Sequence, residues 1–198
     1  MLNKDDVPKI WWLSLTLISV LNIIILSSQY KNTKNLSIFV MAFIYIIVNA
    51  IRAIWPRIDI ERICFFDANI STPLVGRFLA TIAELCYIGL FIITLKLFIS
   101  TSKDFDKYSI ILNLIFIVIL IAEILSWCGC LTKKQLFNAF EESLWGFSAV
   151  VILIISLLTY KEINNKKIKN YLLTISLCLL IYITFMVLVD IPMYIKRD

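Results

Sequence analysis

Six stretches of this chain run for about twenty residues or more with almost no charge, which leaves very few folds open. They are Ile10–Gln29, Leu36–Trp55, Val75–Ile99, Tyr108–Trp127, Leu136–Thr159 and Tyr171–Ile195, separated by charged or turn-forming breaks. At a rise of about 1.5 Å per residue each covers roughly the 30 Å of a bilayer's hydrocarbon core. In that medium a backbone has to satisfy its own hydrogen bonds, so an open apolar segment of this length becomes a helix. Composition agrees: 61% of the 198 residues are hydrophobic and only 17% charged, with a mean hydropathy of +0.90, too apolar for an ordinary soluble domain. The expectation is an all-α polytopic membrane protein, a single domain over residues 1–198 built as a bundle of six transmembrane helices. Lys4 and Lys9 precede the first stretch as they would in a secretory signal. Its length and the lack of a small-x-small cleavage site mark it as a retained span.

Six crossings place both termini, the second-to-third loop and the fourth-to-fifth loop on one face, here called face A. Lysine and arginine divide almost evenly between the faces, ten on A and nine on B, so loop charge alone gives little orientation. The kinds of residue differ more. All five arginines, all four prolines and eleven of the fourteen acids belong to face A, whereas the face B loops Tyr30–Asn35, Ser100–Lys107 and Lys161–Asn170 carry lysine as their only cation. Lysine loops of that kind suit anchoring against anionic lipid on the cytoplasmic side. The orientation expected is therefore both termini outside, in a bacterial inner membrane.

The longest inter-helix segment, about residues 56–74, mixes Arg57, Asp59, Glu61, Arg62 and Asp67 with Ile58, Ile60, Ile63, Phe65 and Phe66. A disordered linker has no use for those aromatics. The segment reads as an interfacial helix lying as a lid over face A, followed by Ser71-Thr72-Pro73, two hydroxyls and a proline suited to opening the third helix.

Carboxylates inside the apolar runs are costly unless paired or wet, and here all of them lie in the face A half of their helices. Glu84 is placed about 12 Å below Gly76, while Glu123 and Asp190 sit about 6 to 8 Å from Trp127 and Ile195. Glu141 and Glu142 are neighbours, so they point about 100° apart and only one of them can face a common centre. Arg52 lies one turn inside the second helix and is the best cross-bundle partner. Arg77, two turns before Glu84 on the same side, is expected to line the same wall without touching it. Trp127, Trp145 and Tyr87 crowd the same end, Trp145 within a turn of Glu141 and Glu142 and Tyr87 within a turn of Glu84, as a wall for a cationic ligand would require. A buried salt-bridge network that fixes helix register explains the same charges without any ligand.

Cys64 in the lid segment and Cys128 and Cys130 at the end of the fourth helix share face A, so an oxidising compartment would allow Cys64 to bond either of them, and a Cys-Gly-Cys has a conceivable thiol or quinone redox use. The chain has no histidine, which removes the commonest metal ligand and general base, and no metal or cofactor is expected. Phosphate-binding glycine loops, the Gly-x-Ser-x-Gly turn and basic–aromatic patches for nucleic acid are likewise missing from the sequence.

Two functions fit these residues. One is a membrane enzyme that turns over a lipid or isoprenoid entering from the bilayer, with Glu84 as proton donor, Asp190 or Glu123 as base, and Arg52, Arg57, Arg62, Arg77, Asp67, Glu141, Glu142, Tyr87, Trp127 and Trp145 around the substrate. Two short segments, Ala83-Glu84-Leu85-Cys86-Tyr87 and Val189-Asp190-Ile191-Pro192-Met193-Tyr194, look like those of the integral-membrane terpene cyclases, a resemblance that implies carboxylate chemistry on a carbocation. The other function is binding or transport of a small polar or cationic solute; six helices in this length also resemble the substrate-capturing subunits of vitamin importers and the small amino-acid exporters. The partners expected are the lipid bilayer and a lipid-like or small-molecule ligand. Nothing in the sequence fixes an oligomeric state.

Overall fold

The computed structural model describes residues 7–30, 35–55 and 72–197, and these are 92% helical. The helices are α1 (Val7–Gln29), α2 (Leu36–Ile54), α3 (Pro73–Ile99), α4 (Phe105–Thr132), α5 (Gln135–Glu162), α6 (Lys166–Phe185) and α7 (Ile191–Arg197), with a single π turn, Met186–Asp190, between the last two. Among the described residues six helices are long and apolar enough to cross a membrane, α6, the π turn and α7 counting as one. Their starts are set by local chemistry. The Asn35 side chain accepts from the backbone N–H groups of Ser37 and Ile38 at the head of α2, and Asn165 does the same for Lys167 and Ile168 at α6. Thr72 Oγ1 accepts from Val75 N–H ahead of Pro73, as the sequence led one to expect.

The expected spans and the observed helices agree at their centres and differ at their ends. α4 starts three residues before Tyr108 and ends five residues beyond Trp127, because Cys128, Gly129 and Cys130 continue the helix until Lys133 closes it in the left-handed conformation, φ 60°. The sixth span is not one regular helix. Pro192 has no N–H to give to the turn before it, and the ladder there widens, with Ile191 N–H donating to the carbonyl of Met186 five residues back.

The chain divides into two compact units, Met1–Leu90 and Phe91–Asp198, the boundary falling within α3. In the first, α1 packs along α2. Trp12 Nε1 donates to the carbonyl of Ile54 at 3.2 Å, and the rings of Tyr45 and Tyr87 meet at 5.5 Å. In the second, α5 is the central element. It packs on α4, α6, the π turn and α7, and two- and three-residue connections make α4 and α6 its antiparallel neighbours. Phe98 stacks on Tyr171 at 5.5 Å, and Lys96 donates to Asn113. The interior of this unit is lined by Leu112, Ile115, Ile119, Ala122, Ala149, Ile152, Ile155 and Leu172.

Candidate functional site

Two of the sequence-chosen acids, both on helices of the second unit, are buried. Glu123 of α4 is 3% exposed and Glu141 of α5 is 5% exposed, and each offers a carboxylate oxygen within 4.8 Å of the other. The local sequence explains both positions. Glu123 follows Ile115, Ile119 and Ala122 on the buried side of α4, and Ser126 and Gly129 continue that side toward the helix end. Glu141 lies on the side of α5 that the buried Ser148, Ile152, Ile155 and Thr159 extend, while Ala139 and Gly146 fall on the opposite side. At Gly129 a side chain would meet Asn138 and Phe137 at once, which is how closely the two helices approach there. Of the adjacent pair, Glu141 is thus the inward residue and Glu142 remains half-buried.

Glu123 is deeper along its helix than expected. Counting from Trp127 put it about 6 Å in, but α4 runs nine residues beyond it to Thr132, about 13 Å of helix. Asp190 is half-buried and ends the π turn, an element that packs on α5. Met186 of the same turn is buried, and a side chain at Gly146 would lie 3.8 Å from its Cβ. The sequence signal for this widened turn was Pro192, read beforehand only as one of the prolines of face A.

In the first unit the expectation that Arg77 and Glu84 do not touch is corrected. Arg77 Nη2 donates to Glu84 Oε2 at 2.9 Å, along two turns of α3. Both side chains are long and extend toward each other, so their combined reach closes a gap that the helical rise alone leaves open. Arg77 is buried and Glu84 half-buried. Tyr87 is exposed and turned to the ring of Tyr45 on α2. Arg52 is half-buried in the last turn of α2. Trp127 and Trp145 are half-buried, each one turn beyond an interior glutamate of its own helix.

Arg57, Arg62, Cys64 and Asp67, with most of the expected lid, lie outside the described residues. Cys128 and Cys130 are half-buried free thiols, and their helical spacing turns them about 200° apart around α4.

Sequence reasoning passed over the interior hydroxyls. Ser148 and Ser156 of α5 are buried without a hydrogen-bond partner among the described residues, and Ser126 of α4 is buried three residues after Glu123. Serine is common enough in membrane helices that only its burial distinguishes these positions. At the far end of α5, Glu162 accepts from the Ser102 hydroxyl at 2.6 Å and from Lys103 N–H at 3.1 Å, tying the α3–α4 connection to the end of α5.

Chemically, two carboxylates this close repel when both are ionised, or can serve as two ligands of one hard cation, for which oxygens are the fitting donors. No protein-family model, curated protein or solved structure matches the chain.

Proposed function

We propose that the chain is a multi-pass integral membrane protein in which Glu123 and Glu141 share a proton and work as general acid and base on a lipid or isoprenoid substrate entering from the bilayer. The observation that carries this reading is the pair itself, two interior carboxylates with oxygens within 4.8 Å. Two carboxylates this close repel each other when both are ionised, which favours a proton on one of them. A protonated and an ionised carboxyl side by side are what acid–base catalysis needs. Asp190, half-buried on a turn packed against α5, is the additional base. Glu84, first expected to donate the proton, is an acceptor for Arg77, and the donor role passes to the pair.

The same spacing favours a second reading, in which the pair binds a cationic solute or ion for transport. Substituting glutamine separates the two. Lipids and metabolites that co-purify with the wild-type protein would be identified by mass spectrometry and offered back to the wild type and to Glu141→Gln. For an enzyme, Glu141→Gln keeps the bound molecule and loses roughly a hundred-fold or more in turnover. Equal loss of binding and turnover points to the solute site. A Glu141→Gln protein that neither loses turnover nor binding would leave the pair a structural contact and overturn both readings.

A further inference from the structure

The hydroxyls of the second unit fall into two groups. Most of those inside helices satisfy themselves on the carbonyl four residues back: Ser143 on Ala139, Thr159 on Ile155, Thr174 on Asn170, Ser176 on Leu172 and Thr184 on Leu180. That back-bond is the ordinary resting arrangement of a hydroxyl in an apolar helix. Ser148 and Ser156 break the pattern. They are 1% and 0% exposed, and neither hydroxyl has a hydrogen-bond partner among the described residues. Small residues alone would be explained by close helix packing. Buried hydroxyls that leave the back-bond unmade are not, because a polar group in that position calls for a partner such as an ordered water.

Their positions along α5 are ordered. At about 100° per residue Ser148 lies within about 20° of Glu141, Thr159 returns to the same angle, and Ser156 is about 60° away. One side of the helix thus carries a polar residue at intervals from Glu141 to Thr159, about 27 Å of rise. Three residues farther on stands Glu162, exposed and joined to Ser102 and Lys103.

We infer that Ser148 and Ser156 line an internal file of water that conducts protons along α5 between Glu141 and the end marked by Glu162. A serine hydroxyl donates one hydrogen bond and accepts others, so it can take a proton from the water on one side while releasing its own to the water on the other. Neither serine nor water is consumed. For each proton that enters from bulk water beside Glu162, one reaches the carboxylate pair, and the reverse holds for release. The inference rests on the proton-handling reading of Glu123 and Glu141, to which it adds a supply route from the opposite end of α5.

The test asks whether water reaches these positions. In a chain whose native cysteines are replaced by alanine, Ser148→Cys, Ser156→Cys and Leu153→Cys would be reconstituted in vesicles and exposed to a small, positively charged methanethiosulfonate. Leu153 is buried but about 120° around α5 from Glu141. We expect Ser148→Cys and Ser156→Cys to react several-fold faster than Leu153→Cys. Reaction at neither serine position, or at all three equally, overturns the file. Radiolytic footprinting of the unaltered protein reads the same question without substitution: oxidation at the otherwise sealed Ile152 and Ile155 supports the file, and their complete protection overturns it. Both results are independent of Glu141→Gln: a dry α5 beside a catalytic carboxylate pair overturns the file alone, and a wet file beside an inert pair overturns the catalytic reading and, with it, the delivery of protons to Glu141.

Discussion

Arg77 shows how a single side chain changes the meaning of its neighbours. Its guanidinium reaches across two turns to Glu84, so an acid that looks solitary by sequence position is half of an ion pair. Removing one partner of such a pair leaves a charge in an apolar setting, which costs about 3–5 kcal/mol when both are fully buried; with Glu84 half-buried we expect about 1–3 kcal/mol for Arg77→Met. The double variant Arg77→Met with Glu84→Met should recover most of that loss, and thermal unfolding in detergent for the full double-mutant cycle measures it. If the single and double variants are equally unstable, the pair is not what holds Arg77 in place. At the same scale, Glu141 and Glu142 could be told apart only by what packs on α5. Their angular separation was readable from adjacency, but which of the two turned inward depended on the neighbouring helices.

Elements in this protein end where backbone chemistry makes them end. Lys133 closes α4 at φ 60°, a conformation that a β-carbon resists, and its N–H donates to the Gly129 carbonyl. Lys133→Gly should therefore raise stability by about 0.5–1 kcal/mol, seen as a higher unfolding temperature, and a fall would mean that the lysine side chain matters more than the strain. The π turn ends two residues before Pro192. Pro192→Ala supplies the missing N–H, and we expect the turn to tighten to a regular α-helix and rotate Asp190 by roughly 100° about the axis. Thiol accessibility of Asp190→Cys, compared with and without Pro192→Ala, reports that rotation. An unchanged labelling rate would show that packing against α5, and not the proline, sets the turn. Pro192 was visible in the sequence. That its effect would be a widened turn carrying an acid was not, because a proline can also end or kink a helix.

Over the whole molecule, apolar surface and burial run opposite to their relation in a water-soluble protein. The span Lys9–Gln29 has no buried residue, while α5, which holds three glutamates and three serines, is the most buried of the six. That is the arrangement lipid selects: apolar side chains face the tails, and small or polar side chains face other helices. We expect the protein to be extracted from membranes by detergent and not by high salt or alkali. We also expect an alkaline phosphatase fused to the C-terminus to be active, as the orientation proposed from the lysine-only loops, both termini outside, requires. An inactive phosphatase fusion together with a fluorescent C-terminal green fluorescent protein fusion would reverse that orientation.

By itself the sequence determined that the chain is helical, where its six long helices lie to within a few residues, and which few charged groups are embedded in them. Those conclusions follow from backbone hydrogen bonding and side-chain transfer energies, which are local and add along the chain. Only the tertiary structure decided that Glu123 and Glu141 bring carboxylate oxygens within 4.8 Å, that Arg77 pairs with Glu84, and that two serines of α5 are buried without the back-bond their neighbours make. The first depends on the rotation of one helix against another, the other two on the reach and rotamer of particular side chains. A one-dimensional pattern of apolar runs fixes neither.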